Sequence, residues 1–225
     1  MIIELYHGSK EYIDHPKYGL GKPYNDYGRG YYCTKNIFMA MEWAVSESMN
    51  GFANCYELDC KGLSFLDLND ANHCILNWLA VLLDNREFDC HSALASEGKQ
   101  YILKHFLPEY EKYDVIIGYR ADDSYFSFAQ DFLSGTISYR QLCESMYLGD
   151  LGTQYVLKSK RSFDHLTFLG CEMADDEEWF PKKLLRDQTA RARYFSDKKM
   201  QRQKGDIFIT QILDEEMEAG DERLK

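Results

Sequence analysis

Two short clusters hold the residues of this chain whose types and spacing could do chemistry. His7-Gly8-Ser9 follows Ile2, Ile3, Leu5 and Tyr6, which read as a buried strand. It gathers an imidazole, two open backbone groups and a hydroxyl into one small volume, a set that can hold an amide and a ribose. Gly28-Arg29-Gly30-Tyr31-Tyr32-Cys33-Thr34 sets two glycines around an arginine and opens into a short aromatic strand. That spacing lets the backbone approach a ligand closely while a tyrosine points into a cleft. The bland alternatives are a hairpin turn for the glycine pair and an inert strand-end histidine for His7.

The elements that must position these clusters follow from pattern. Residues 10–27, with Pro16, Pro23, Gly19 and Gly21, form a loop between them. Residues 36–48 are helical, with Ile37, Ala40, Met41, Ala44, Val45 and Ser48 on an apolar face that Trp43 borders. Residues 52–59 read as a strand ending in a Lys61-Gly62 turn. Two helices, 71–85 and 91–107, make an insertion of about 71–112, with Trp78 in the core. The apolar run 114–118 reads as a strand buried on both faces. It ends in a polar cluster where Asp122 or Asp123 either lines a site or caps a helix over 124–133. Gly135 closes that helix, and Ser138 caps the next, 139–146. A turn at 159–162 leads to a last core strand at 166–169.

Composition then shifts. Glu172, Asp175, Asp176, Glu177 and Glu178 are acidic, and Pro181 is expected to start a helix carrying Lys182, Lys183, Arg186, Arg191, Arg193, Lys198, Lys199, Arg202 and Lys204. The tail 214–225 is acidic again. The expected organisation is a domain over 1–170 and a charged helical appendage over 171–225. The basic helix could meet nucleic acid, a small anionic ligand, a partner protein or its own acidic flanks.

A 225-residue chain with 45% hydrophobic and 15% aromatic residues can bury a sizeable core, which excludes a disordered or low-complexity class. The net charge of -11 argues against a surface that coats nucleic acid and for a localised contact patch. No apolar run approaches the roughly 18 residues that span a membrane. No basic leader precedes the first strand, so a cytoplasmic protein is expected. The 7 cysteines include no CxxC pair, and the histidines lack ligand spacing, so neither a metal nor a disulfide framework is expected.

Leu5-Tyr6-His7-Gly8-Ser9 and Gly28-Arg29-Gly30-Tyr31-Tyr32 resemble the first two signature segments of the ADP-ribosyltransferase superfamily. The likeness is to the poly(ADP-ribose) polymerase-like branch, and more closely to an uncharacterised bacterial family of unknown function. The resemblance implies an α+β fold of two small packed sheets around an NAD cleft. In that branch a histidine, a tyrosine and a polar residue on a later strand form the NAD pocket. His7 and Tyr32 match the first two. The third falls on Gln154, within Leu151-Gly152-Thr153-Gln154-Tyr155-Val156-Leu157, where the family carries glutamate.

Trp43 stands where the branch stacks an aromatic on nicotinamide, and Ala40 stands where the branch has a serine that binds the carboxamide. The amide contact is therefore expected from the Gly8 backbone, with Ser9 beside it. Lys10, Lys17, Lys22 and Arg29 lie between the two pocket motifs, and Lys22 and Arg29 are the preferred partners of a pyrophosphate. The implied activity is NAD-dependent mono-ADP-ribosyl transfer to a macromolecule, protein or nucleic acid, of toxin or defence type. The alternatives are NAD hydrolysis or a silent module that binds a partner or inhibitor protein. Because glutamine cannot take a proton, single ADP-ribose units rather than polymer are expected.

Overall fold

The computed structural model describes residues 1–120, 123–148, 151–198 and 203–224. Asp122, Lys199 and Arg202 lie outside the described residues. The chain is α+β, with seven strands among the described residues in one sheet of order β4-β5-β6-β2-β1-β3-β7. These strands are β1 (Ile2–Ser9), β2 (Tyr31–Thr34), β3 (Gly51–Asp59), β4 (Phe65–Asp67), β5 (Val115–Tyr119), β6 (Thr153–Leu157) and β7 (Leu166–Ala174). Only β4 and β5 pair in parallel, and the helical insertion α2 (Ile75–Asn85) and α3 (Ala93–Phe106) makes the crossover between them.

The two packed sheets expected from the sequence are thus one sheet. β1 and β2 are joined at a single residue pair, Tyr6↔Thr34. Beyond it β1 continues to Ser9 along β3 alone, and β2 runs along β6 alone. Two half-sheets share one seam, and the chain opens beside it. Side chains alternate along a strand, so Tyr31 and Tyr32 face opposite ways, and the seam decides which of them faces His7.

α2 is apolar all round. Every residue from Ile75 to Leu83 is buried, which goes beyond the single face its periodicity suggests, because the helix lies between sheet and α3. Its buried Asn77 is fully used: Oδ1 accepts from the Cys74 N–H at 2.9 Å, and Nδ2 donates to the Phe106 carbonyl at 2.8 Å. Helix α1 (Ile37–Ala44) is capped by the Asn36 side chain and packs against β1 and β3. Ser138 caps α5 (Tyr139–Ser145) in a capping box with Gln141, after α4 (Asp123–Leu133) has been closed by Gly135 at φ +72°.

The boundary expected at Gly170 falls inside β7, which crosses it and pairs with β3 to Ala174. The expected turn at 159–162 holds a short helix, α6 (Lys160–Asp164). Helix α7 (Asp176–Lys198) begins five residues before Pro181, because Asp175 Oδ1 accepts the Glu177 N–H at 3.0 Å and an acidic first turn suits a helix N-terminus. The segment after 170 does not stand apart. Ala190 and Tyr194, with Ile209 and Ile212 of α8 (Ile209–Asp214), Met217 and Leu224, belong to the main core. Arg186 of α7 pairs with Glu42 of α1 at 2.7 Å, while Lys182 pairs with Glu178 of the acidic flank at 2.6 Å.

Candidate functional site

Where β1 leaves β2, the backbone ladder is replaced by a side chain. His7 Nδ1 lies 2.7 Å from the Tyr32 carbonyl. A carbonyl only accepts, so Nδ1 carries the proton and Nε2 is left as an acceptor. Burial pushes the imidazole pKa below its ordinary value, which keeps the ring neutral near pH 7. The Tyr31 ring stacks on His7 with centroids 4.2 Å apart and is anchored by its hydroxyl, 2.7 Å from that of Tyr56.

Gly8 is required by α1. A Cβ there would stand 2.0 Å from the Ala40 carbonyl oxygen and 2.9 Å from the Ala44 nitrogen. Ala40, in the place of the family's serine, is fully buried under that contact. His7-Gly8-Ser9 ends the strand as expected, but as its last stretch paired with β3. The Ser9 hydroxyl accepts the Glu11 N–H at 3.1 Å, so it starts the loop.

That loop forms the roof, held by fully buried Asn54 of β3. The Asn54 amide donates to the carbonyls of His7 at 3.3 Å and Glu11 at 3.1 Å, and its oxygen accepts the Ile13 N–H at 2.9 Å. The far end is tied by Arg86, 2.7 Å from the buried carboxylate of Asp26. Next to it Tyr27 is fully buried, its hydroxyl accepting Trp78 Nε1–H at 2.9 Å. The two glycines that follow serve close approach, but to the protein itself rather than to a ligand. A Cβ on Gly28, at φ +71°, would meet Asn85 Oδ1 at 2.3 Å, and one on Gly30 would meet Val156 Cγ1 at 2.6 Å.

Between roof and sheet lies a cavity of about 1180 Å³. That is somewhat above the usual size of small-molecule sites, about 300–1,000 Å³. All eight residues singled out in the sequence line it: His7, Gly8, Ser9 and Tyr32, then Trp43 and Gln154, with Lys22 and Arg29 exposed at the rim. Gln154 sits on β6 between Thr34 and Gly118, is 5% exposed, and its Oε1 has no hydrogen-bond partner among the described residues. Trp43 Nε1 is also buried without one. An unmet acceptor and an unmet donor therefore line the same space, and such groups cost stability until something pairs with them.

Two of these residues are partly committed within the protein. The Tyr32 hydroxyl does not reach for a ligand, since it donates to the Gly28 carbonyl at 2.6 Å and accepts the Tyr27 N–H at 3.1 Å. Only its ring is left to line the cavity. One face of Trp43 is covered by the Arg120 guanidinium, 4.1 Å from the ring centroid, so stacking on a ligand is confined to the other face.

Sequence reasoning assigns no role to Tyr31 or Lys158 and reaches Arg120 only as part of the polar cluster after β5. Lys158 was signalled only by following β6 by one residue. Asp123 begins α4. Among the described residues no cluster of His, Cys, Asp or Glu could hold a metal ion, no helix is long and apolar enough to cross a membrane, and all seven cysteines are free.

A family model described as "Protein of unknown function (DUF3990)" matches residues 3–168. The chain belongs to the DUF3990 family. The DUF3990 match takes in every candidate site residue from His7 to Gln154 and the sheet as far as the first part of β7, while α7 and α8 lie beyond it. No curated protein and no solved structure matches the chain significantly.

Proposed function

We propose that this DUF3990 protein is an NAD-dependent mono-ADP-ribosyltransferase acting on a macromolecular acceptor, within the ADP-ribosyltransferase superfamily that its His7 and Tyr32 segments resemble. The observation that carries the reading is the buried, unpartnered Oε1 of Gln154 in the wall of a dinucleotide-sized cavity that His7 and Gly8 also line. An acceptor so placed suits a ribose hydroxyl, and the neutral His7 Nε2 suits a second.

In the proposed reaction the bond between the nicotinamide nitrogen and ribose C1′ breaks, and its electron pair leaves with nicotinamide. A lone pair of the acceptor forms the new bond to C1′, and the acceptor's proton passes to solvent. The protein's share is orientation and exclusion of water, through the seam residues and the loop above them. Gln154 can hold a hydroxyl but cannot take its proton, so the weakly nucleophilic ribose of an attached ADP-ribose is not activated. One unit is added per site.

A second reading, an NAD-binding module without turnover, is favoured by the commitment of the Tyr32 hydroxyl to Gly28 and by Ala40 in the serine position. One experiment separates the two. Purified protein is incubated with cell lysate and labelled NAD, treated with protease or nuclease to locate the label, and the modified target is weighed intact. Transfer predicts single ADP-ribose increments lost in Gln154→Ala. A ladder of increments refutes the role given to Gln154, and binding of NAD with no label transferred and no nicotinamide released selects the second reading.

A further inference from the structure

The Gly28-Arg29-Gly30 segment and Lys158 fit together in a way that the roles above do not use. Lys158 follows β6 directly and its side chain is only 7% exposed. Its stem and head run along the glycine pair: a Cβ on Gly30 would lie 3.5 Å from Lys158 Cδ, and one on Gly28 would lie 3.4 Å from Nζ. The head donates to the Tyr27 carbonyl at 2.6 Å and lies 3.3 Å from Glu111 Oε1. Glu111 is itself largely exposed, and all three groups, Lys158, Glu111 and Arg29, line the cavity.

An ammonium has three protons, and one here is fixed by a carbonyl. A second is shared with a mobile surface carboxylate, a pairing worth little in solvent. The third has no hydrogen-bond acceptor among the described residues, and the head is otherwise met only by the Tyr110 ring, 5.5 Å from its centroid. Arg29, between those two glycines, is exposed, lines the cavity and makes no ion pair among the described residues, whereas Arg86 is committed to Asp26. Burying a lysine costs free energy, and here desolvation outweighs Glu111 and lowers its pKa. A bound anion would offset that cost.

We propose that Lys158 and Arg29 form an anion subsite of the cavity for a diphosphate group, with Glu111 as the carboxylate that the anion displaces. Lys158 thus joins Lys22, which the sequence suggested and which lines the same cavity. The subsite uses the same cavity as the proposed function but does not depend on any transfer reaction, so it is tested with ADP, which cannot react. Isothermal titration with ADP and with adenosine reads it.

Binding of ADP should be clearly tighter than that of adenosine and weaken with salt. Arg29→Gln and Lys158→Gln should each lose roughly tenfold in ADP affinity, and Glu111→Gln should gain about threefold, with adenosine unchanged throughout. Lys158→Gln also frees the Tyr27 carbonyl, so if that variant fails to fold, the opposite signs of Arg29→Gln and Glu111→Gln decide alone. ADP affinity unchanged in both, or no preference for ADP over adenosine, overturns the subsite. A subsite that holds while labelled NAD is never consumed overturns the transferase instead.

Discussion

Gln154→Met removes the one buried acceptor of the cavity wall that has no partner among the described residues and replaces it with an unbranched apolar side chain of similar length. In the protein without ligand, a buried carbonyl oxygen lacking its hydrogen bond costs about 1–3 kcal/mol. Imperfect packing of the thioether returns part of the gain, so a net stabilisation of about 1 kcal/mol is expected. For a chain of this length that corresponds to a rise of roughly 2–4 °C in Tm.

The same substitution should abolish the response to NAD. A wild type saturated at a hundred times its Kd gains about 2.7 kcal/mol by mass action, on the order of 5–10 °C, and the variant should gain little of it. Differential scanning calorimetry with and without NAD reads both quantities. A variant that melts below the wild type and still shifts fully with NAD would sink the argument, because Gln154 would then be a structural residue whose partner had been overlooked.

Gly8→Ala should destabilise by on the order of 3 kcal/mol, since its Cβ would enter the Ala40 carbonyl of α1 and backbone cannot rotate away; a urea midpoint close to wild type would mean that α1 sits further from β1. For His7, burial lowers the folded pKa below the ordinary 6.5, so the unfolded chain binds more protons between the two values. Its contribution to stability is therefore full above about pH 6.5 and is lost as pH falls towards the folded pKa. The stability advantage of wild type over His7→Gln should shrink between pH 7.5 and 5 in urea unfolding, and a constant difference would count against the burial argument.

What the sequence made legible is local. The strands at β1, β3, β5 and β6 and both insertion helices follow from apolar period and turn residues, and the Ser138 cap and the Gly135 stop were readable because each is a single residue with one mechanism. Three-residue β4 and five-residue α6 are too short for any period to register. α7 was misplaced because Pro181 reads as a first-turn residue, whereas the Asp175 cap and the acidic turn after it take precedence. β7 looked finished at 169 because Gly170, at φ +146°, and the polar residues after it resemble a break, yet β3 supplies a partner along the whole length.

The site divides along the same line, between what a residue type demands and what meets the demand. A glycine pair announces close approach, but only the folded chain reveals that Asn85, Lys158 and β6 approach it. Adjacent tyrosines must face opposite ways, but which one meets His7 depends on the single Tyr6↔Thr34 pair, a tertiary event with no local signature. Around the cavity, polar groups that build the roof are fully paired, as at Asn54 and at Asp26 with Arg86. In its wall, Gln154 Oε1 and Trp43 Nε1 are not. The ligand proposed above would bring an acceptor to Trp43 Nε1 and a hydroxyl to Gln154 Oε1, and pairing both would return the stability that their isolation costs.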